Sequence, residues 1–549
     1  MARRKVFDIW TVVVLAIFAA YALFLLYPMY AILRNSVIGE AGGFSLEWFV
    51  KFFSVKYYSQ TLLHSFNVTI WTTLLTLVIG VPLAYFYNLY EIRGKALIQV
   101  LIILCSMSAP FIGAYAWIQL LGRSGIITNF IKSLTGITIP NIYGFRGIVL
   151  VLTLQLFPLV FLYLSGALKN IDNSLLEASN NLGCTGIRRF FKVVIPLCMP
   201  TILAAALLVF MRAFADFGTP LLIGEGYRVF PVEIYNQFLG ETGTNFSFAA
   251  AISVIAILLT AAFFLAQRYL SRRFAFTMNA LHPIEKRRPR GLFSVLVHLF
   301  TYAVVGLSFL PQVYIVYQSF QNTSGKLFKP GYSLASYQTS IKRMSNAIPN
   351  TFVIGGIALV AVILIAILIA YLVVRRRNVV TSAIDTMSML PYIIPGSVVG
   401  IALVMAFNTK PLVLTGTVAI MVIALCIRRL PYTIRSSVAI LQQIPMTIEE
   451  ASISLGASKM KTFFEITVPM MSNGIISGAI LSWVTIITEL STAIILYNSK
   501  TITLTLAIYT FVTRGNYGYA AALATVLTAL TIVSLLVYMR VSKSKEITF

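Results

Sequence analysis

Apolar runs long enough to cross a bilayer recur along this chain, separated by short polar segments in which Lys and Arg gather. A membrane helix needs about 20 predominantly apolar residues, within a range of roughly 17–25. On that pattern twelve spans are predicted, at about 9–33, 62–88, 97–120, 146–169, 197–222, 246–268, 294–319, 350–374, 384–407, 412–434, 470–495 and 516–540. The first follows Met-Ala-Arg-Arg-Lys, a charged start like that of a signal peptide. Its apolar run is longer than a signal's, so it is read as an uncleaved anchor.

Composition fixes the solvent. With 58% hydrophobic and only 11% charged residues in 549, the chain has too little polar surface for water, where charged residues usually make up about 25%. Lipid must cover most of it. The net charge of +25 would suit nucleic acid, but its distribution does not, because no basic stripe is interleaved with aromatic residues. The cations track topology instead. With the N-terminus inside, the inner segments hold Arg3, Arg4 and Lys5; Arg93 and Lys95; Lys169, Arg188, Arg189 and Lys192; and the basic residues from Arg268 to Arg290. They also hold Arg375 to Arg377, Arg428, Arg429, Arg435, Lys459, Lys461, Arg540, Lys543 and Lys545, more than half of the 42 basic residues. Acidic Glu225, Glu233 and Glu241 share one outer loop. The positive-inside rule then places both termini in the cytoplasm.

The polar segments repeat. EASNNLGCTGIRRFFKVVIP (177–196) returns as EASISLGASKMKTFFEITVP (450–469), identical at eight of twenty positions with a constant offset of 273. At the same offset Pro158 falls on Pro431, Leu168 on Leu441, Ile171 on Ile444 and Asp216 on Glu489. Upstream, Asn67–Tyr85 resembles Asn350–Tyr371, with three residues inserted in the second copy. The chain therefore reads as a first half, 1–275, a basic cytoplasmic linker, 276–290, and a second half, 291–549. Six spans per half make the repeats parallel, related by an approximate axis along the membrane normal. The fold class is an all-α polytopic membrane protein.

Each repeated loop lies on the cytoplasmic side between the fourth and fifth spans of its half. Residues 172–181 and 446–454 have helix-forming composition with acid in the first turn, which suits the positive end of the helix dipole. Gly183 and Gly456 allow a turn with positive φ. A second short amphipathic helix follows, with Phe190/Phe191 and Phe463/Phe464 on one face, and Pro196 and Pro469 mark entry to the next span. A basic amphipathic loop can simply lie on headgroups. That role does not require acid, Gly and Pro at the same spacing twice, so a docking element is expected.

The spacing E-A-x-x-x-L-G, with Pro thirteen residues beyond the Gly, resembles the EAA loop of binding-protein-dependent ABC importer permeases. Glu177, Ala178, Gly183 and Pro196 match it, as do Glu450, Ala451, Gly456 and Pro469; Ser179 and Ser452 stand where that family often has Ala. The resemblance covers nearly the whole chain. It implies a type I ABC importer permease fold with about 12 transmembrane helices, in a bacterial cytoplasmic membrane. It also implies that each loop docks on a subunit of a homodimeric cytoplasmic ATPase, and that an extracytoplasmic binding protein supplies substrate by alternating access. The chain itself has no G-x-x-x-x-G-K-[ST] loop, the nearest echo being Arg93-Gly94-Lys95-Ala96. ATP and Mg are thus left to the partner, and the chain is expected to be no enzyme and to hold no cofactor. His64, His282 and His298 are far apart, and Cys105, Cys184, Cys198 and Cys426 form no CxxC pair, so no metal site is assigned.

Fused two-half permeases of this size resemble ferric-iron importers of the Fbp/Afu type, as do the stretches Phe214–Pro220 and Val232–Tyr235. That implies ferric iron as substrate, with sugar phosphates or phosphonates as the alternative within the class and an ion-gradient-driven carrier outside it. Asp216 and Glu489 sit about two-thirds along their spans, where ionisable groups are costly and face protein or a water-filled path. Arg212, four residues before Asp216, can pair with it as a structural couple or face the path and suit an anion. Glu489 has no partner nearby in sequence and is the stronger pathway candidate. Asn67 and Asn350, near the outer ends of their spans, can bond between helices at a gate or simply join helices, a contribution of about 1 kcal/mol. Pro82, Pro110, Pro158, Pro391, Pro395 and Pro431 are expected to kink or break helices.

Overall fold

A computed structural model describes residues 9–240, 245–273, 282, 284, 286–324 and 326–541. Arg3, Arg4, Lys5, Glu241, Lys543, Lys545 and part of the expected linker 276–290 lie outside the described residues. Among the described residues the regular structure is helical apart from one antiparallel hairpin of β1 (Gln321–Ser324) and β2 (Leu327–Tyr332) and two isolated β-bridges.

Two compact units cut across the sequence repeats. One comprises Phe53–Glu233 and Leu258–Gln318. Its centre is α1 (Lys56–Leu89), α2 (Phe145–Lys169), the short α3 (Asn173–Asn181) and α4 (Ile195–Phe214). A buried polar pair joins α1 to α2, where Asn88 donates to Ser165 Oγ at 3.0 Å as well as to the Ala84 carbonyl. Tyr87 packs edge-on against Phe161. The helix Gly291–Phe320, first of the second repeat, belongs to this unit, where Phe293 and Phe300 pack on Phe86.

The other unit comprises Met1–Phe52, Ile234–Ile257 and Ser319–Lys545. Its centre is α5 (Ala347–Arg375), α6 (Val418–Gln443), the short α7 (Met446–Ser454) and α8 (Ser472–Ile487). Small hydroxyls join α6 to α8, with Thr433 2.8 Å from Ser482 and Ser436 donating to the Gly474 carbonyl at 2.7 Å. Such close, polar seams suit helices that gain nothing from hydrophobic exclusion in lipid. The first helix of the chain packs here, Trp10 against Tyr371 and Phe24 against Phe407. Each repeat thus gives its leading helix to the unit built around the other.

Eight helices are long and apolar enough to cross a membrane, and three bent pairs bring the possible total to eleven among the described residues. The span expected at 97–120 is broken, with the pair 95–107 and 111–135 bent by 103°; that at 384–407 is broken likewise, by 112°. Ala109 and Ile394 precede Pro110 and Pro395 and are extended, because the proline ring disfavours the helical region for the residue before it. The tenth expected span, 412–434, corresponds to α6, and it is here that the expectation is corrected. The helix forms, but Arg428, Arg429 and Arg435 make it too charged to count as a span by composition.

Candidate functional site

The first repeated loop starts at Asp172, which caps α3 by accepting the Ser174 N–H at 2.9 Å. Asn173 donates to Glu177 at 2.7 Å one turn on, and Glu177 and Ala178 face solvent. At the far end Gly183 has φ +74°, its N–H meets the Asn180 carbonyl at 2.9 Å, and the Cys184 N–H meets the Ser179 carbonyl at 2.8 Å. Those two bonds define a Schellman turn, whose left-handed position costs any residue with a Cβ. Leu182, just before the glycine, is 86% exposed although large and apolar.

The second loop ends α7 in the same way. Gly456 has φ +93°, its N–H reaches the Ile453 carbonyl at 3.0 Å, and the Ala457 N–H reaches that of Ser452 at 3.1 Å. Leu455 is 90% exposed, and Glu450 and Ala451 are exposed beside it. After each turn comes a short helix, and then a single π turn at Phe190–Val194 and at Phe463–Thr467, equivalent residues in the repeats. The π turn explains the fixed prolines. Pro196 and Pro469 lack an N–H, and their rings would strike the carbonyl four residues earlier in an α-helix; a wider turn just before them relieves both problems. Both prolines stand in the first turn of the helix that follows, at the entry to the next span where the sequence puts them. In the first copy the short helix runs on into a span, 186–214, whereas in the second, 459–470 and 472–487 meet at a 67° bend.

One aromatic contact seats both loops. Phe190 packs on Tyr85 with ring centroids 4.7 Å apart, and Phe463 packs on Tyr371 at 4.9 Å, both edge-on. Tyr85 and Tyr371 end the matching segments of the upstream repeat.

The two aligned acids lie just beyond the ends of α4 and α8, not two-thirds along a span as expected, and share one local role. Asp216 accepts the Thr219 N–H at 3.0 Å, and Glu489 accepts the equivalent Thr492 N–H at 3.0 Å, so each caps the turn after its helix. Beyond the cap they differ. Glu489 is buried between Arg428 and Arg429 of α6, bonding to both, and also accepts from Ser491 Oγ at 2.7 Å. The topology reading counted these arginines among the cytoplasmic basic residues; they are instead buried partners of the acid that seemed to lack one. Arg428 also reaches Thr492 Oγ1 at 3.0 Å, and Thr492 donates to the Gly396 carbonyl at the helix break. A Cβ on Gly396 would lie 2.0 Å from Ser491 Oγ and 2.5 Å from Arg428 Nη1, so only glycine fits there. At the position equivalent to Arg428 the first repeat has Gln155, lining a cavity of about 30 Å³ with Ser108, Ser308 and Gln312. Arg212 ends α4, half-buried.

The asparagines sit at matching places in the two repeats. Asn67 lies near the Tyr227 side chain, and Asn350 donates to the Lys500 and Ile502 carbonyls at 2.8 and 2.9 Å. Tyr227 and Lys500 are again 273 residues apart. No three His, Cys, Asp or Glu side chains come together as a metal site among the described residues.

Sequence reasoning passed over Leu182, Leu455, the π turns and the partners of Glu489. The leucines were visible as apolar residues beside a turn glycine. The arginines lie about sixty residues from Glu489 and carry no local signal.

The family model for the binding-protein-dependent transport system inner membrane component matches the chain twice, over residues 76–276 and 362–546. The ferric transport system permease protein FbpB of Actinobacillus pleuropneumoniae is 28% identical over 518 residues, 92% of this chain and 74% of that protein. The putative ferric transport system permease protein FbpB 1 of Haemophilus influenzae is 28% identical over 486 residues, 87% of this chain and 76% of that protein. Among solved structures, a bacterial ABC transporter involved in the import of the acidic polysaccharide alginate aligns with 49% of this chain and 96% of its own, with 15% identity and a TM-score of 0.41.

Proposed function

We propose, from the premise that the chain belongs to the family of binding-protein-dependent transport system inner membrane components, that it is the fused permease of an ATP-driven importer of ferric iron. The observation that carries the reading is the paired loop. Two copies of one Schellman turn hold Leu182 and Leu455 out in solvent beside Glu177, Ala178, Glu450 and Ala451. A single exposed leucine is ordinary on a protein surface; the same leucine exposed at the same turn in both copies suits a surface that serves a partner twice. Two such surfaces in one chain suit a dimeric ATPase, one subunit per loop.

In this reading both termini face the cytoplasm, and an extracytoplasmic binding protein delivers substrate to the opposite side. ATP and Mg are consumed by the ATPase, and the chain performs no chemistry of its own. ATP-driven closure of the motor pushes on both loops and changes which side of the permease is open. Iron as substrate is supported by the two ferric permease relatives, which align with most of the chain.

Proteoliposomes holding the chain, its ATPase and its binding protein test the reading, with labelled ferric iron and a phosphonate offered in parallel. ATP-dependent iron uptake is expected, lost in Glu177→Ala/Glu450→Ala and in Leu182→Ser/Leu455→Ser. Phosphonate uptake alone would overturn the substrate, and uptake without ATPase would overturn the importer.

A further inference from the structure

The first coupling helix does not stand alone at its start. The Asn173 N–H, one of the four donors a helix leaves unpaired, donates to the His282 carbonyl at 3.0 Å. The His282 N–H in turn donates to Asp172 Oδ2 at 3.1 Å, while Asp172 Oδ1 caps Ser174 at 2.9 Å. The His282 ring lies 3.6 Å from the same carboxylate. Pro283 follows in the sequence and favours extended backbone at 282, which suits a residue presenting both its N–H and its carbonyl to one neighbour.

The same connecting segment is fixed a second time. Arg287 pairs as a β-bridge beside Tyr90, donating to the Leu89 carbonyl at 2.9 Å and accepting the Glu91 N–H at 3.0 Å. Arg288 bonds Glu91 at 2.7 Å. The connection between the repeats is therefore bound to the C-terminal end of α1 and to the N-terminal end of α3. The loop beyond α3 is also seated on α1, through Phe190 and Tyr85.

We infer that the connecting segment is a positioning element of the first coupling loop, with His282 and Asp172 setting the angle at which α3 is presented to the motor. The second loop has no counterpart, because Pro445 stands at the start of α7 and its side chain cannot cap. A chain made by fusing two permease halves thus uses its tether to hold one docking helix. The inference rests on the reading of the loops as ATPase contacts.

The backbone bonds separate the variants. His282→Pro removes the donor to Asp172, Asp172→Ala removes the acceptor and the cap, and His282→Ala leaves all three backbone bonds. In the full chain in lipid nanodiscs, hydrogen–deuterium exchange over 173–181 should rise about fivefold in the first two variants, the factor expected from losing one cap in Asp172→Ala and one hydrogen bond to a charged group in His282→Pro. It should stay at the wild-type level in His282→Ala, and exchange over 446–454 should stay unchanged in all three. In proteoliposomes with ATPase and binding protein, His282→Pro and Asp172→Ala should lose iron transported per ATP hydrolysed, while hydrolysis continues. Unchanged exchange in His282→Pro would overturn the clamp. Raised exchange with unchanged transport per ATP would overturn its positioning role. A wild-type chain that transports without ATP would overturn the importer reading instead, and the exchange arm would still decide whether the clamp holds the helix.

Discussion

The two repeated loops share a backbone and differ in what holds them. Both have the Schellman turn, the exposed leucine, the π turn, the proline and the aromatic seat. In the first loop, residue 176 of α3 is an ordinary buried leucine, and the helix start is held by Asp172 and His282. In the second, the equivalent residue is Glu449, buried with Arg375 at 2.8 Å, and Arg375 also donates to the Ile444 carbonyl. The acids differ in the same way: one cap on Asp216, the same cap plus two arginines on Glu489. The exposed turn is kept in both copies, while the means of fixing it to each unit has diverged.

The comparison is sharpest at the acids. Glu489→Gln leaves two buried arginines facing a neutral amide, and removing one partner of a buried pair costs about 3–5 kcal/mol. Asp216→Asn keeps an oxygen to accept the Thr219 N–H and should cost about 1 kcal/mol. Thermal unfolding of the detergent-purified variants measures both, and equal losses would mean that the arginines do not depend on Glu489. A smaller effect is expected at the second loop's anchor. Glu449→Ala should cost about 3 kcal/mol by leaving Arg375 buried and unpaired, whereas Arg375→Leu/Glu449→Leu should be nearly neutral, as apolar replacement of buried pairs often is. The double variant copies the apolar solution of the first loop. If it is as unstable as the single one, the two anchors are not interchangeable.

What could be read in advance was what is local or repeated. Gly183 and Gly456 announced positive φ because the turn is completed within a few residues, and the kinked or broken helices followed from Pro110 and Pro395. The upstream repeat aligned Tyr85 with Tyr371, and both proved to seat the loop phenylalanines. Ionic partners were not legible. Arg428 and Arg429 beside Glu489, Arg375 beside Glu449 and His282 beside Asp172 are all long-range pairs, set by which helices touch. A charge count along the chain assigns such arginines to topology, since composition cannot tell a cation facing headgroups from one buried against an acid.

The last effect is small and should be equal in both loops. Gly183→Ala and Gly456→Ala each force a Cβ into the left-handed region, at a cost of about 1–2 kcal/mol. No atom lies within 4 Å of the added Cβ at either position, so the cost is backbone strain alone and owes nothing to the different anchors. Exchange over 173–181 and over 446–454 should therefore rise by the same factor in the two variants. A larger rise in the second loop would mean that the Arg375–Glu449 pair depends on the turn being closed. Equal rises would establish that turn and anchor act independently, which is what allows one turn to serve two differently built units.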